Sequence, residues 1–407
     1  MTQAPEARSG EAEPANPLGL APRLLALFEQ SFPRFSDAEY ARRRNALAHA
    51  MQHAGADHLL LVCAQGIGNA VRWVTAWPGT NEALLLFRPG EAMTMYVEYC
   101  NHVPQAAALA RDVDVRWAEQ RGIANVVEEL DRRAARRVAV IGPLPGPRWK
   151  VLESRFRLIS LDSEYAAVRM LKSEEELDWL RIGAAFSDAG MRALIAGTKP
   201  GMSEHDLVNN IERAYVGLGG AHGIHFIGST GMAAPDLCVP RQFPSRRTVR
   251  AGDFVFCELS ASWWDYSGQA LRGCTVDAEP TPLYRDLHST ALAAYEAIIK
   301  AIRPSATALE LVEASSIIEA NGFTTCDDLV HGYGGGYLPP ILGSRSRPAR
   351  AETLALAENM CLVVQPNVIT RDQKAGVQVG NLVRVTKDGC ESLQRIPLAF
   401  FRAGQAI

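Results

Sequence analysis

The sequence predicts two domains, a small α/β unit over residues 23–165 and an α+β unit over residues 166–407. Three observations carry this reading. Strand-like apolar runs alternate with helical spacing up to about residue 160, a helix-start signal follows at residues 171–176, and beyond residue 250 strand signals cluster around two helices. With 407 residues, 47% of them apolar and 21% charged, the chain is long enough to bury two cores.

Residues 1–22 are rich in Ala, Pro, Glu and Gly without apolar periodicity and read as a disordered tail. From Asp37 the spacing of Tyr40, Arg44, Leu47 and Met51 gives an amphipathic helix. The runs 58–63, 82–87 and 93–97 give strands, and a helix over about 122–137 precedes a strand at 138–141. Its basic end, Arg132-Arg133-Ala134-Ala135-Arg136-Arg137, reads as a cationic last turn rather than a binding patch. Gly66-Ile67-Gly68 follows the first strand, but Val71 occupies the third glycine position of a dinucleotide fingerprint.

The second domain opens on a capping box. Ser173 can accept from the backbone three residues on, Glu176 can reach back, and Leu177, Leu180 and Ala184 continue the helix. Pro200-Gly201 separates it from a second helix with Leu207, Ile211 and Tyr215 in phase. Arg250-Ala251-Gly252-Asp253 is a turn feeding the strand 254–259. Helices at about 283–302 and 307–320 and strands near 360–370, 376–386 and 391–396 complete a curved antiparallel sheet.

A net charge of −3 with interspersed signs favours neither nucleic acid nor an anionic membrane as partner. No 18-residue apolar run and no leader pattern occurs, so a cytoplasmic location is expected. The eight cysteines show no CxxC or disulfide spacing, which suits a reducing compartment.

Six segments fall in an order that resembles the creatinase, prolidase and aminopeptidase P superfamily, whose catalytic domain has the pita-bread fold. They are Arg169-Met170-Leu171-Lys172-Ser173-Glu174-Glu175-Glu176-Leu177, Lys199-Pro200-Gly201-Met202-Ser203-Glu204, Gly252-Asp253-Phe254-Val255, Val330-His331-Gly332-Tyr333-Gly334, Gln365-Pro366 and Val385-Thr386-Lys387-Asp388-Gly389. The resemblance implies a creatinase N-terminal-like domain, a pita-bread domain and a homodimer. It also implies two divalent cations held by two Asp, one His and two Glu, which acidify a bound water. In this sequence those positions fall on Glu258, Gln269, His331, Gln365 and Gly380, and only His331 has the family's residue type. With about one formal negative charge facing four positive ones, the Coulomb energy that offsets dehydration is largely lost, so no metal and no other cofactor is expected. Creatinase is a metal-free member, but its substrate His falls on Arg241, with Cys238 as rival occupant, its second His on Leu338, and its guanidinium-binding Glu positions on Leu271 and Gln365.

The residues projected into the cleft describe an acid/base pocket. His331 titrates near neutrality unaided and is assigned general acid/base, against a packed relic; Glu258 orients it or serves as base, against an ion-paired strand residue. Arg241 offers a forked cation to a substrate carboxylate or belongs to a solvated basic loop with Arg246, Arg247 and Arg250. Gln269 and Gln365 bind a polar amide or hydroxyl, or merely fill the old metal positions. Tyr333 donates to an oxyanion or is structural, and Trp264 lines the cleft. His222 and His225 read as surface or gate residues, since spacing supplies no third ligand. The reading is a metal-independent enzyme hydrolysing a C–N bond of a small, carboxylate-bearing, amino-acid-derived substrate. Its alternatives are a lyase, dehydratase or cyclase of specialised metabolism and a non-catalytic binding protein.

Overall fold

The computed structural model describes residues 16–64, 68–79, 81–348 and 354–407, so Gly66, Ile67 and tail residues 1–15 lie outside the described residues. The first domain is a six-stranded mixed sheet in the order Val113–Trp117, Met93–Val97, Ala83–Phe87, His58–Cys63, Arg137–Ile141, Arg157–Ser160. The unbroken apolar run of the central strand has a structural reason. Leu59 and Leu61 enter one core, Leu60 and Val62 the other, so both faces of the strand are covered. The helix Asp37–Ala54 starts at Ser36, whose side chain accepts from Glu39 N, and stops at Gly55 in the left-handed region.

The tail reading extends too far. Leu18, Leu20 and Leu24 are buried with Trp179, Ile182 and Phe186 of the second domain, and Phe28 of helix Pro22–Phe28 meets Phe186 edge-on at 5.9 Å. Residues 18–28 are therefore a strap across the second domain. Three spaced leucines dock it, although the polar composition around them points to disorder.

In the second domain the sheet path runs Tyr337–Leu342, Val330–Tyr333, Cys361–Val364, Gly380–Val385, Ala270–Thr275, Asp253–Trp263, Ala221–Gly231, antiparallel at every step. Strict alternation along Asp253–Trp263 sets its two faces. Phe254 and Phe256 pack toward helix Pro282–Ala301, whereas Val255, Cys257, Leu259 and Ala261 pack toward helix Glu174–Gly197. The sheet is thus held between two helical layers, and the next even position, Glu258, places a carboxyl on the Phe254 side.

The predicted capping box of Ser173 and Glu176 is present. Glu176 also does a second job. Its Oε1 accepts from Arg43 Nη2, Trp73 Nε1 and the Tyr266 hydroxyl, each at 3.1 Å, so the start of one domain's first helix anchors the other domain. Arg43 is fully buried, donates to Glu39 at 2.7 Å and to the Trp73 carbonyl at 2.8 Å, and lies over the Phe35 ring. Burial pushes the Glu176 carboxyl up, but Arg43 and Lys172 outweigh it and its pKa is lowered. Removing one partner of such a pair leaves an uncompensated buried charge. Arg43→Met should therefore cost about 3 kcal/mol or more, seen as a fall in urea midpoint. Arg42→Met, at a more exposed arginine paired with the same carboxylates, should cost under about 1 kcal/mol.

Candidate active site

Five consecutive strands of the sheet, from Val330–Tyr333 to Asp253–Trp263, surround the polar cluster. Asp253–Trp263 turns through Trp264 and Asp265 and comes back as Ala270–Thr275, with Leu271 opposite Glu258; the eleven-residue spacing therefore sets Gln269 beside Glu258. His331 pairs with Val363, and Gln365 N bonds to Leu329 O, so the end of Cys361–Val364 brings Gln365 alongside. Gln269 Nε2 donates to Glu258 Oε1 at 2.6 Å and to Gln365 Oε1 at 3.0 Å. Glu258 is 2% exposed; Gln269, His331 and Gln365 are 0% exposed. Gly380 sits opposite Leu271, where an added Cβ would lie 2.5 Å from Val364 O and 2.9 Å from Gln365 Cα.

Among Gln269, His331 and Gln365, three buried atoms lack a well-formed hydrogen bond: Gln269 Oε1, His331 Nε2 and Gln365 Nε2. Each costs about 1–3 kcal/mol when left unpaired, so their convergence in a well-packed sheet is the mark of a binding position. His331 Nδ1 lies 3.1 Å from Gly332 O, and a carbonyl only accepts; Nδ1 therefore carries the proton and Nε2 presents a lone pair. The Tyr337 ring stacks on the imidazole at 4.0 Å, and the Tyr333 hydroxyl shares a 2.8 Å hydrogen bond with Ser267.

Burial moves the two titratable groups in opposite directions. It holds His331 down to about 4, against the opposing pull of Gly332 O and Gln365. It pushes Glu258 up to about 8, aided by the Asp327 carboxylate. Near neutrality both shifts favour the uncharged forms, which casts His331 as proton acceptor and Glu258 as proton donor.

The matching family model, described as Metallopeptidase family M24, covers residues 178–387, just over half of the chain. The chain belongs to metallopeptidase family M24. An uncharacterized hydrolase/peptidase of Sinorhizobium fredii is 24% identical over 90% of this chain and 97% of its own length. An Xaa-Pro dipeptidase of Lactobacillus delbrueckii is 27% identical over 55% of this chain and 60% of its own. The fold is that of an Xaa-Pro dipeptidase from Bacillus anthracis (TM-score 0.78, 19% identity, 89% of this chain and 99% of that one) and an X-Pro aminopeptidase from Thermotoga maritima (TM-score 0.76, 19% identity, 88% and 99%). The expected pita-bread fold is therefore present, and the chain is a hydrolase/peptidase-like M24 member.

Not every residue projected into the cleft lies there. Arg241 is bridged to Ile227 and donates to Glu204 Oε1 at 3.2 Å, so its charge is already engaged; its side chain is 37% exposed. Trp264 lines a separate cavity of about 300 Å³ between the domains, with Phe35, Arg72, Trp73 and Gly335, and Arg72 lies 5.8 Å from its ring. The residue sits at the hairpin turn with a positive φ of 51°, which carries it away from the strand that bears Glu258. Three residues around this cluster escaped the sequence reading: Tyr337, which stacks on His331, Asp327, whose carboxylate acts on Glu258, and Gln378, which donates to Asp327 Oδ2 at 3.3 Å. The signal for Tyr337 lay in the glycine run, because Gly334-Gly335-Gly336, all at positive φ, turn a hairpin that sets Tyr337 opposite Tyr333. Asp327 and Gln378 carry no motif.

The raised pKa of Glu258 has a stability consequence. The folded state binds that proton more tightly than the unfolded chain, so the stabilisation is full below the ordinary carboxyl pKa and is lost as pH rises through about 8. Glu258→Gln removes the ionisation and should raise thermal stability at pH 9 relative to wild type by a few kcal/mol, with little difference at pH 5. Parallel melting curves at the two values check this.

Proposed function

We propose that this M24 chain is a metal-independent acid/base hydrolase acting on the C–N bond of a small amino-acid-derived substrate. The observation that carries it is the pairing of a neutral imidazole with a protonated carboxyl around three buried polar atoms that lack a well-formed hydrogen bond. The positions that correspond by resemblance to the family's five metal ligands do not fit two adjacent cations. They offer one carboxyl that burial favours protonated, one imidazole and two neutral amides, of which Gln269 turns its N–H groups to Glu258 and Gln365. Any side chain at position 380 meets the Val364 backbone.

In this reading His331 Nε2 takes a proton from water, the resulting hydroxide attacks the carbon, and Glu258 delivers its proton to the departing nitrogen. The C–N bond breaks, C–O and N–H bonds form, and transfer of the imidazolium proton back to the Glu258 carboxylate restores both groups. Gln365 Nε2 and Gln269 Oε1 supply one donor and one acceptor for a neutral amide-like group. The C–N bond as target draws on the Xaa-Pro dipeptidases among the relatives. Arg241 is engaged by Glu204, so this reading does not require a carboxylate on the substrate.

Rates on a panel of dipeptides and N-substituted amino acids should trace a bell, falling below about pH 4 as His331 gains a proton and above about pH 8 as Glu258 loses one. Glu258→Gln and His331→Ala should each lower kcat at least ~100-fold. Products formed in labelled water should carry the solvent oxygen. Product without that oxygen points instead to elimination or cyclisation. Two equivalents of divalent cation, lost in Glu258→Gln, would overturn the metal-independent reading.

A further inference from the structure

We propose that Glu212, His222 and His225 form a mononuclear site for zinc(II) on the outer edge of the sheet, separate from the Glu258 cluster. His222 Nδ1 and His225 Nδ1 are 2.8 Å apart, and Glu212 Oε1 lies 3.5 Å from each. Ligands of a tetrahedral zinc ion with bonds of about 2.0–2.1 Å stand about 3.3 Å apart, so small shifts of the His222 and Glu212 side chains fit the ion. Among the described residues this is the sole group of three or more His, Cys, Asp or Glu side chains with donor atoms so close together.

The local backbone is built for the convergence. Two residues three apart on a regular strand point to opposite faces. Strand Ala221–Gly231 carries a register shift between His222 and Ile224, which returns both imidazoles to one side. Gly223 lies at the shift, and a Cβ there would overlap the Ser260 carbonyl. Glu212 comes from the last turn of helix Glu204–Arg213, packed on the same strand.

His225 also has a partner that fixes its orientation. The buried Tyr215 hydroxyl is 2.7 Å from His225 Nε2. With the Nε2 proton donated to that oxygen, Nδ1 of His225 offers its lone pair toward His222 and Glu212, the arrangement that orients metal-bound histidines. Two imidazoles and one carboxylate leave a fourth position, and the 56% and 40% exposure of the His222 and Glu212 side chains turns it toward water. His225 lies opposite Leu259, whereas Phe226 lies opposite Glu258, so the site occupies the face of the sheet turned away from the proposed catalytic cluster. An ion there pins the helix Glu204–Arg213 to the edge strand.

The test uses the full chain, stripped with a chelator and titrated with Zn²⁺ alone. Wild type should retain one equivalent by elemental analysis and melt at higher temperature with zinc than without. His222→Ala and Glu212→Gln, at exposed side chains that leave the core intact, should each weaken binding at least ~10-fold and lose the melting shift, while His331→Ala keeps both. A wild type without bound zinc, variants that bind as tightly as wild type, or zinc lost in His331→Ala would each overturn the site. These readouts do not use activity, so failure here leaves the proposed hydrolytic reading standing, and the reverse.

Discussion

The buried contact between Arg43 and Glu176 is the constraint on which the arrangement of this molecule depends. Glu176 closes the N-terminus of the long helix that supports the sheet, and the same carboxylate receives Arg43 and Trp73 from the first domain and Tyr266 from the hairpin turn. From Tyr266 the chain runs directly to Ser267, which holds the Tyr333 hydroxyl, and to Gln269, which holds Glu258 and Gln365. The docking of the two domains and the placement of the candidate active site are thus joined through one turn of backbone. Ion pairs this deep gain little over apolar packing in net energy, but a partner lost is costly. That asymmetry fixes the geometry of the joint.

The centre of the sheet illustrates how replacing charge by amide changes the chemistry of a site without disturbing its scaffold. Gln269 bonds to both Glu258 and Gln365, and all three side chains are buried. A carboxyl in that setting has no cation to favour its ionised form, so burial lifts it toward neutrality, and the nearby Asp327 adds to the shift. An imidazole in the same setting is driven the other way. Burial alone therefore sorts the two groups into a proton donor and a proton acceptor at one pH, the pattern by which acid/base pairs are recognised.

Much of this was legible from residue order. The capping box and the turn at Gly252-Asp253 that feeds a strand are local signals with local causes, and the structure repeats them. What stayed illegible is non-local. The composition around Leu18 and Leu20 reads as a tail because the groove that receives them is made by residues more than 150 positions away. Arg241 reads as a free cation until Glu204, on a separate helix, is seen to hold it. The pKa inversion of His331 and Glu258 depends on burial, which no motif encodes.

The His222 and His225 pair shows the same limit from the other side. A regular strand sets residues three apart on opposite faces, and in the sequence the pair has no third ligand. The irregularity at Gly223 reverses the first point and the packing of Glu212 supplies the second. Both are properties of the edge strand, where a bulge is tolerated because, among the described residues, only the isolated Ile227–Arg241 bridge pairs its outer side. Edge strands invite pairing with other chains, and a cation tying strand to helix at that edge would oppose it. The chemistry of the outer face and that of the sheet's centre thus answer to different physical demands, the stability of an exposed border and the control of protons at buried side chains.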